Sequence, residues 1–200
     1  MTDFQGDLDW SDNAIYQNDI QKYLRVTHHA TSFKDISKTP RGIQDDIDLL
    51  ISYDARPPWQ SVEVKCRQME FAKYNDVLVE LKSSIEAATL GWLLKSKAYM
   101  LLYIFLLDSE IPQPRDVWGR TFSMRGLREY WQRQGEKNVC RWCVLPEHNH
   151  KHTGFPKIIG KTHSPEGKIL YHTENWAIPL RVLEGLNPPV CLPEFQQEVE

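Results

Sequence analysis

The sequence predicts an α/β protein in which a mixed central β-sheet is flanked by helices. Three observations predict it. Residues 47–53, 61–67 and 76–82 alternate apolar and polar side chains with a period of two, as half-buried strands do. Helical patterns at 13–26 and 123–134 bracket this strand-rich stretch, each with an apolar stripe along one face. Shorter strand-like pieces follow at 157–159, 169–172 and 176–178.

Residues 1–11 read as a loose acidic lead. Ser11 or Asp12 can cap the helix at 13–26, whose stripe is Ile15, Ile20, Tyr23 and Leu24. His28 and His29 end it, where positive charge is favourable at a helix C-terminus. The polar stretch 27–44 holds a short strand at 32–36 and a Pro-Arg-Gly turn at 40–42. Pro57 and Pro58 end the first of the three strands and suit a turn into the second. Ser83 and Glu86 have capping-box spacing, so a helix is expected from there towards Lys97, with Trp92 packing it onto the sheet. Residues 99–107 fit either the end of that helix or a buried strand. The helix at 123–134 is basic and amphipathic, with Leu127, Tyr130 and Trp131 on one side, and a last helical turn falls at 180–186.

With 200 residues, 41% hydrophobic and 26% charged, the chain suits one globular domain, residues 1–200, with a Cys/His-rich loop at 138–156. The longest apolar run, 98–107, is shorter than the ~20 residues a membrane helix needs. The N-terminus lacks the basic flank and apolar segment of a signal peptide. A soluble cytoplasmic protein with no membrane partner is expected. The net charge is −3, but residues 1–20 hold five Asp and residues 191–200 three Glu, with no Lys or Arg in either end; residues 21–190 carry +5. Between Arg115 and Arg141 six Arg and one Lys face three acids, which suits either a phosphate-facing surface or a solvated helix face.

The chemistry lies in residues 46–67. Glu63 and Lys65 are two apart on a strand and share a face, while Val62, Val64 and Cys66 point to the core. One strand earlier Asp46 and Asp48 share a face, with Ile47, Leu49 and Ile51 opposite. Antiparallel pairing around 54–60 would bring a carboxylate from each strand together. Buried charges are costly unless they pair or hold a metal. Two carboxylates can hold a hard cation such as Mg²⁺ beside a substrate phosphate, where it neutralises charge developing on phosphorus. A lysine next to them can orient the attacking water or take its proton. The same spacing also arises on the exposed face of an ordinary amphipathic strand.

The order helix, Asp strand, Glu-x-Lys strand, strand, helix, with Asp48 and Glu63 15 positions apart, resembles the PD-(D/E)XK nuclease superfamily. The run GIQDDIDLLIS…SVEVKCR…NDVLVELKSS…GWLLKSKAYMLLYIF is similar to its small phage and bacterial members. The resemblance covers about residues 42–107. It implies a restriction-endonuclease-like fold, Mg²⁺ or Mn²⁺ as cofactor and DNA as substrate. In that reading Asp48 is the metal-binding Asp, Glu63 the acid of the (D/E)-x-K element and Lys65 its lysine; Ile47 stands where the family has proline. A second register exists, with Glu63 as first acid and Glu80 and Lys82 as the pair, 17 residues on. The first explains Asp48 and leaves Glu80 as an additional catalytic acid near the metal.

Cys140 and Cys143 have the Cys-x₂-Cys bite of tetrahedral zinc, with His148 and His150 beyond. Thr153 stands where a zinc knuckle wants its fourth ligand, so the alternative is a polar loop with one buried cysteine. Cys66 reads as a small core residue. Arg120, Arg125, Arg128 and Arg133 fall on one segment and are candidate phosphate contacts. Trp59 and Trp118 sit near turns, where rim packing or base stacking are both open. No Gly-rich phosphate loop, Gly-x-Ser-x-Gly elbow or His-Glu-x-x-His motif is present. The expected function is metal-dependent, endonucleolytic hydrolysis of DNA phosphodiester bonds. Two alternatives stand beside it: a non-catalytic nucleic-acid-binding module with a structural zinc, and a junction resolvase acting as a homodimer.

Overall fold

The computed structural model describes residues 14–54, 57–106, 118–140, 155–164 and 166–186. In chain order these form α1 (Ala14–His28), β1 (Ser32–Asp35), α2 (Pro40–Asp45), β2 (Leu49–Ser52), β3 (Gln60–Gln68), a 3₁₀ turn (Met69–Tyr74), β4 (Asp76–Ser84), β5 (Thr89–Leu90) and α3 (Trp92–Lys95). There follow β6 (Met100–Leu106), β7 (Trp118–Ser123), α4 (Met124–Asn138), β8 (Val139–Cys140), β9 (Phe155–His163), β10 (Ile169–Pro179) and α5 (Leu180–Glu184). Among the described residues no helix is long and apolar enough to cross a membrane.

The protein is mixed α/β, and its described residues divide into two compact units, each with a five-stranded sheet. The first unit holds 14–73 and 96–124 and the sheet β1-β2-β3-β6-β7. Its hairpin β2–β3 is antiparallel, with Leu49 opposite Val62 and Ile51 opposite Gln60, as the two prolines imply. β6 joins the other edge of β3 in parallel, Glu63 beside Leu101 and Lys65 beside Tyr103. Of the run 99–107, Met100–Leu106 is therefore strand and not the end of a helix. Met100 to Phe105 are all buried, the unbroken apolar run of a central strand covered on both faces. α1 buries Ile20 and Leu24 and sets the Tyr23 ring against Gly119 of β7. His28 is not a solvated cap charge: it is buried, with Nε2 2.8 Å from the Thr121 hydroxyl.

The second unit holds 74–95 and 125–186 and the sheet β5-β4-β10-β9-β8. β4 pairs antiparallel with β10, Val79 opposite Trp176 and Glu80 opposite Asn175. Trp92, Leu93, Leu127, Tyr130, Trp176, Ile178 and Leu183 are its core, with Trp176 stacked on Tyr130 at 5.9 Å. Two expectations are corrected here. The strand at 76–82 does not extend the sheet that holds β3, because β6 takes that edge. Ser83 to Glu86 starts no helix: residues 85–88 turn β4 back into β5, Ser84 Oγ accepts from Ala87 N–H, and Glu86 grips His172 instead of a helix N-terminus.

Candidate active site

Asp48 is positioned by a short helix and a turn. Thr39 caps α2, its Oγ1 accepting from Gly42 N–H at 3.1 Å, and Pro40 occupies the first turn, so residues 40–42 open a helix and not a bare turn. The helix ends at Asp46, which adopts the left-handed conformation (φ 54°) and sends its N–H to the Gly42 carbonyl. Ser96 Oγ donates to the Asp46 carbonyl at 2.7 Å, and Lys97 Nζ pairs with Asp45 at 2.7 Å. Gly42 allows this close approach: a methyl there would collide with the Ile36 carbonyl and stand 2.9 Å from that of Ile47.

The chain emerging from this turn places Asp48 one residue ahead of β2. Its N–H donates to the Val62 carbonyl (3.1 Å), its carbonyl accepts from Ile36 (2.9 Å), and its Oδ2 accepts from Val64 N–H at 2.7 Å. The side chain therefore continues the β2–β3 ladder where the backbone stops. Burial raises the Asp48 pKa, against Lys65 and the Val64 N–H, which lower it; Asp46 and Asp35 add small upward pushes.

Glu63, in the middle of β3, is only 2% exposed. Its Oε1 meets Lys65 Nζ at 2.5 Å, while its Oε2 is buried with no hydrogen-bond partner among the described residues. Burial pushes the Glu63 carboxyl up to about 8; Lys65 pulls it down and Asp48 and Asp46 push it up again. For the Lys65 ammonium, burial favours loss of the proton, but Glu63 and then Asp48 outweigh it and hold the pKa above its usual value. The Lys65 side chain is 34% exposed, so the site opens to solvent on the lysine side. Cys66 behind it is half-buried and unpaired, and burial followed by Asp48 pushes its thiol up to about 12, out of reach as a nucleophile.

Asp48, Glu63 and Lys65 are thus brought together in one electrostatic cluster of the first unit. The period of two continues beyond them to Arg67, whose guanidinium donates to the Tyr103 hydroxyl at 2.9 Å and lies 4.8 Å from the Phe71 ring centre. Sequence reading passed over this arginine, although its place two residues after Lys65 was the available signal. Across the sheet Lys65 pairs with Tyr103 and Tyr103 with Arg120, so the three share a face.

The other candidates divide differently. Glu80 is on β4 in the second unit, opposite Asn175 and against Gly91, not on the sheet that carries Asp48, Glu63 and Lys65. Arg125, Arg128 and Arg133 are on α4 in the second unit, apart from Arg120 on β7. Arg125 pairs with Glu129 at 2.7 Å, Arg128 Nε donates to the Leu93 carbonyl at 2.9 Å, and Arg133 Nε donates to the Glu129 carbonyl at 3.1 Å. Burial lowers the Arg128 pKa, which suits a structural clamp. Cys143, His148 and His150 lie outside the described residues; Cys140 ends β8, and its side chain is outside them too.

Among the described residues no group of three or more His, Cys, Asp or Glu gathers as a metal cage. A two-carboxylate site remains: Mg²⁺ commonly takes one or two carboxylates and completes its shell with water and phosphate oxygens. The partnerless Glu63 Oε2 fits such a role, since a buried acceptor without a donor is costly and a cation would satisfy it. Comparison with protein-family models, curated proteins and solved structures yields no match. Fold and site define an α/β protein with a half-open carboxylate–lysine cluster on a mixed sheet.

Proposed function

We propose that the protein is a metal-dependent nuclease of the restriction-endonuclease-like type, hydrolysing DNA phosphodiester bonds endonucleolytically. The observation that carries this reading is Glu63: a buried carboxylate with one oxygen on Lys65 and the other without a hydrogen-bond partner among the described residues, within reach of the charge of Asp48 just ahead of β2. Asp48 and Glu63 would hold Mg²⁺ or Mn²⁺, which supplies Lewis-acid stabilisation to the charge developing on the phosphate. Asp48 is aimed by its bond from Val64 N–H, leaving its other oxygen for the ion. Lys65, beside Glu63, would orient the attacking water or take its proton, and offset charge on the pentacoordinate phosphorus. Glu80 is on β4 of the second unit, and no step is assigned to it.

The test is cleavage of plasmid and single-stranded DNA with Mg²⁺ or Mn²⁺ by wild type, Asp48→Ala and Lys65→Ala. The expected result is cleavage by wild type, with each variant slower by about 10²–10⁴-fold. Equal rates in all three preparations end the assignment. Binding of DNA without metal and without cleavage favours the non-catalytic module.

A further inference from the structure

Residues 96–99 join α3 to β6 and belong, with the carboxylate–lysine cluster, to the first unit. This short segment grips the chain at two places, and each place lies two residues ahead of an acid of the site. Ser96 Oγ donates to the Asp46 carbonyl at 2.7 Å, and Lys97 N–H donates to the Asp45 carbonyl at 2.7 Å; Asp48 follows Asp46 by two. Three residues after Ser96, Tyr99 N–H donates to both the carbonyl and the hydroxyl oxygen of Ser61 at 3.0 Å each, and Glu63 follows Ser61 by two. Ser96 is only 2% exposed, and its oxygen also accepts from Ala98 N–H at 3.1 Å, so its proton is committed to Asp46.

The grip on Asp46 bears directly on Asp48. From β3, Asp48 is held by the Val62 carbonyl and the Val64 N–H. From upstream, its direction is set by the left-handed turn at Asp46 (φ 54°). A residue with a Cβ keeps that conformation where its surroundings hold it, and Ser96 is such a hold. Divalent ions differ in how far they need fixed ligands. Mg²⁺ demands a near-ideal octahedron at about 2.0–2.1 Å, whereas Ca²⁺ accepts flexible geometry at about 2.3–2.6 Å. Two carboxylates tied to one short segment suit the stricter ion.

We infer that Ser96 is a positioning residue of the site: through the segment 96–99 it holds Asp48 and Glu63 at the spacing of a small octahedral ion, so that the protein binds Mg²⁺ in preference to Ca²⁺. The inference rests on the reading of Asp48 and Glu63 as the metal-binding acids.

The experiment is isothermal titration of Mg²⁺ and of Ca²⁺ into the metal-free full chain, with thermal melts in EDTA as the measure of stability. Wild type should bind Mg²⁺ more tightly than Ca²⁺. Ser96→Ala should lower Mg²⁺ affinity by about tenfold and Ca²⁺ affinity by clearly less, so that the ratio of the two falls. Ser61→Ala removes one of the two acceptors of Tyr99 N–H and should move the ratio in the same direction; it decides the matter if Ser96→Ala does not fold. Thr121→Val is the control for stability. It removes a buried hydrogen bond to His28 in the same unit, on the sheet face away from Lys65. It should melt lower than wild type and keep the wild-type ratio. An unchanged ratio in Ser96→Ala overturns the inference, as does an equal loss for both ions, or a Thr121→Val protein that loses the preference too. A wild type that binds both ions equally overturns it and leaves the metal-binding acids standing; a wild type that binds neither removes those acids and the inference together. A ratio that falls as expected in a protein that never cleaves DNA keeps the positioning role and removes the nuclease.

Discussion

Burial raises the Glu63 carboxyl to about 8, against the opposing pull of Lys65, with Asp48 and Asp46 adding to the rise. In the metal-free protein this sets a pH dependence of stability. The folded-state pKa lies above the unfolded one, so the contribution is full below the ordinary carboxylate value of 4.5 and is lost as pH rises towards 8. Glu63→Gln removes the titration. Thermal melts in EDTA should show the variant matching wild type near pH 5 and melting several degrees higher at pH 8, because one pKa unit is about 1.4 kcal/mol and each kcal/mol moves the Tm of such a chain by roughly 2–4 °C. Lys65 offsets part of the difference. A variant that melts below wild type across the range removes this account. At this scale alternation alone placed Glu63 and Lys65 on one face. It did not show that Val64 N–H would claim one oxygen of Asp48, because that bond depends on where β2 stops.

Between residues 42 and 48 the geometry of the site depends on a six-residue helix and its left-handed end. Gly42→Ala would drive a methyl into the Ile36 carbonyl, and backbone cannot yield as a side-chain tip can. The expected cost is about 1–3 kcal/mol of stability by denaturant unfolding, together with loss of metal-dependent cleavage, since the displaced backbone leads directly to Asp48. Unchanged cleavage in a Gly42→Ala protein would show that this turn does not aim the acid. The elements with clear local periods, β2, β3, β4 and α4, were legible in the chain. The helix expected after Ser83 was not there, since Ser and Glu at that spacing serve a tight turn equally well: Glu86 finds His172 Nδ1 at 2.6 Å, and this lowers its carboxyl to about 2.

The molecule carries a net charge of −3, yet the face of the first sheet that holds the cluster also presents Lys65, Arg67 and Arg120. If a nucleic-acid strand crosses that face, each cation that meets a phosphate releases a counterion. Arg120→Ala should therefore weaken oligothymidylate binding and flatten the plot of log affinity against log salt by about 0.7 to 1. Arg125→Ala should change the slope little, because that guanidinium already answers Glu129. Equal slopes for wild type and Arg120→Ala would place the strand elsewhere. The four arginines looked alike as a stretch of sequence, and folding divided them between β7 and α4. Likewise Glu63 falls on β3 and Glu80 on β4, strands of different sheets. Alternation is a local property: each residue's polarity assigns its face whatever the neighbouring strand is, so the Glu and Lys of the candidate site could be read from the chain, whereas Asp48 stands ahead of β2 and Asp46 caps a helix instead of sharing a strand face with it. Which strand lies alongside is a contest among distant segments. β6 outbid β4 for the edge of β3 through seven paired residues with an unbroken apolar run, and no local pattern in residues 76–84 records that outcome.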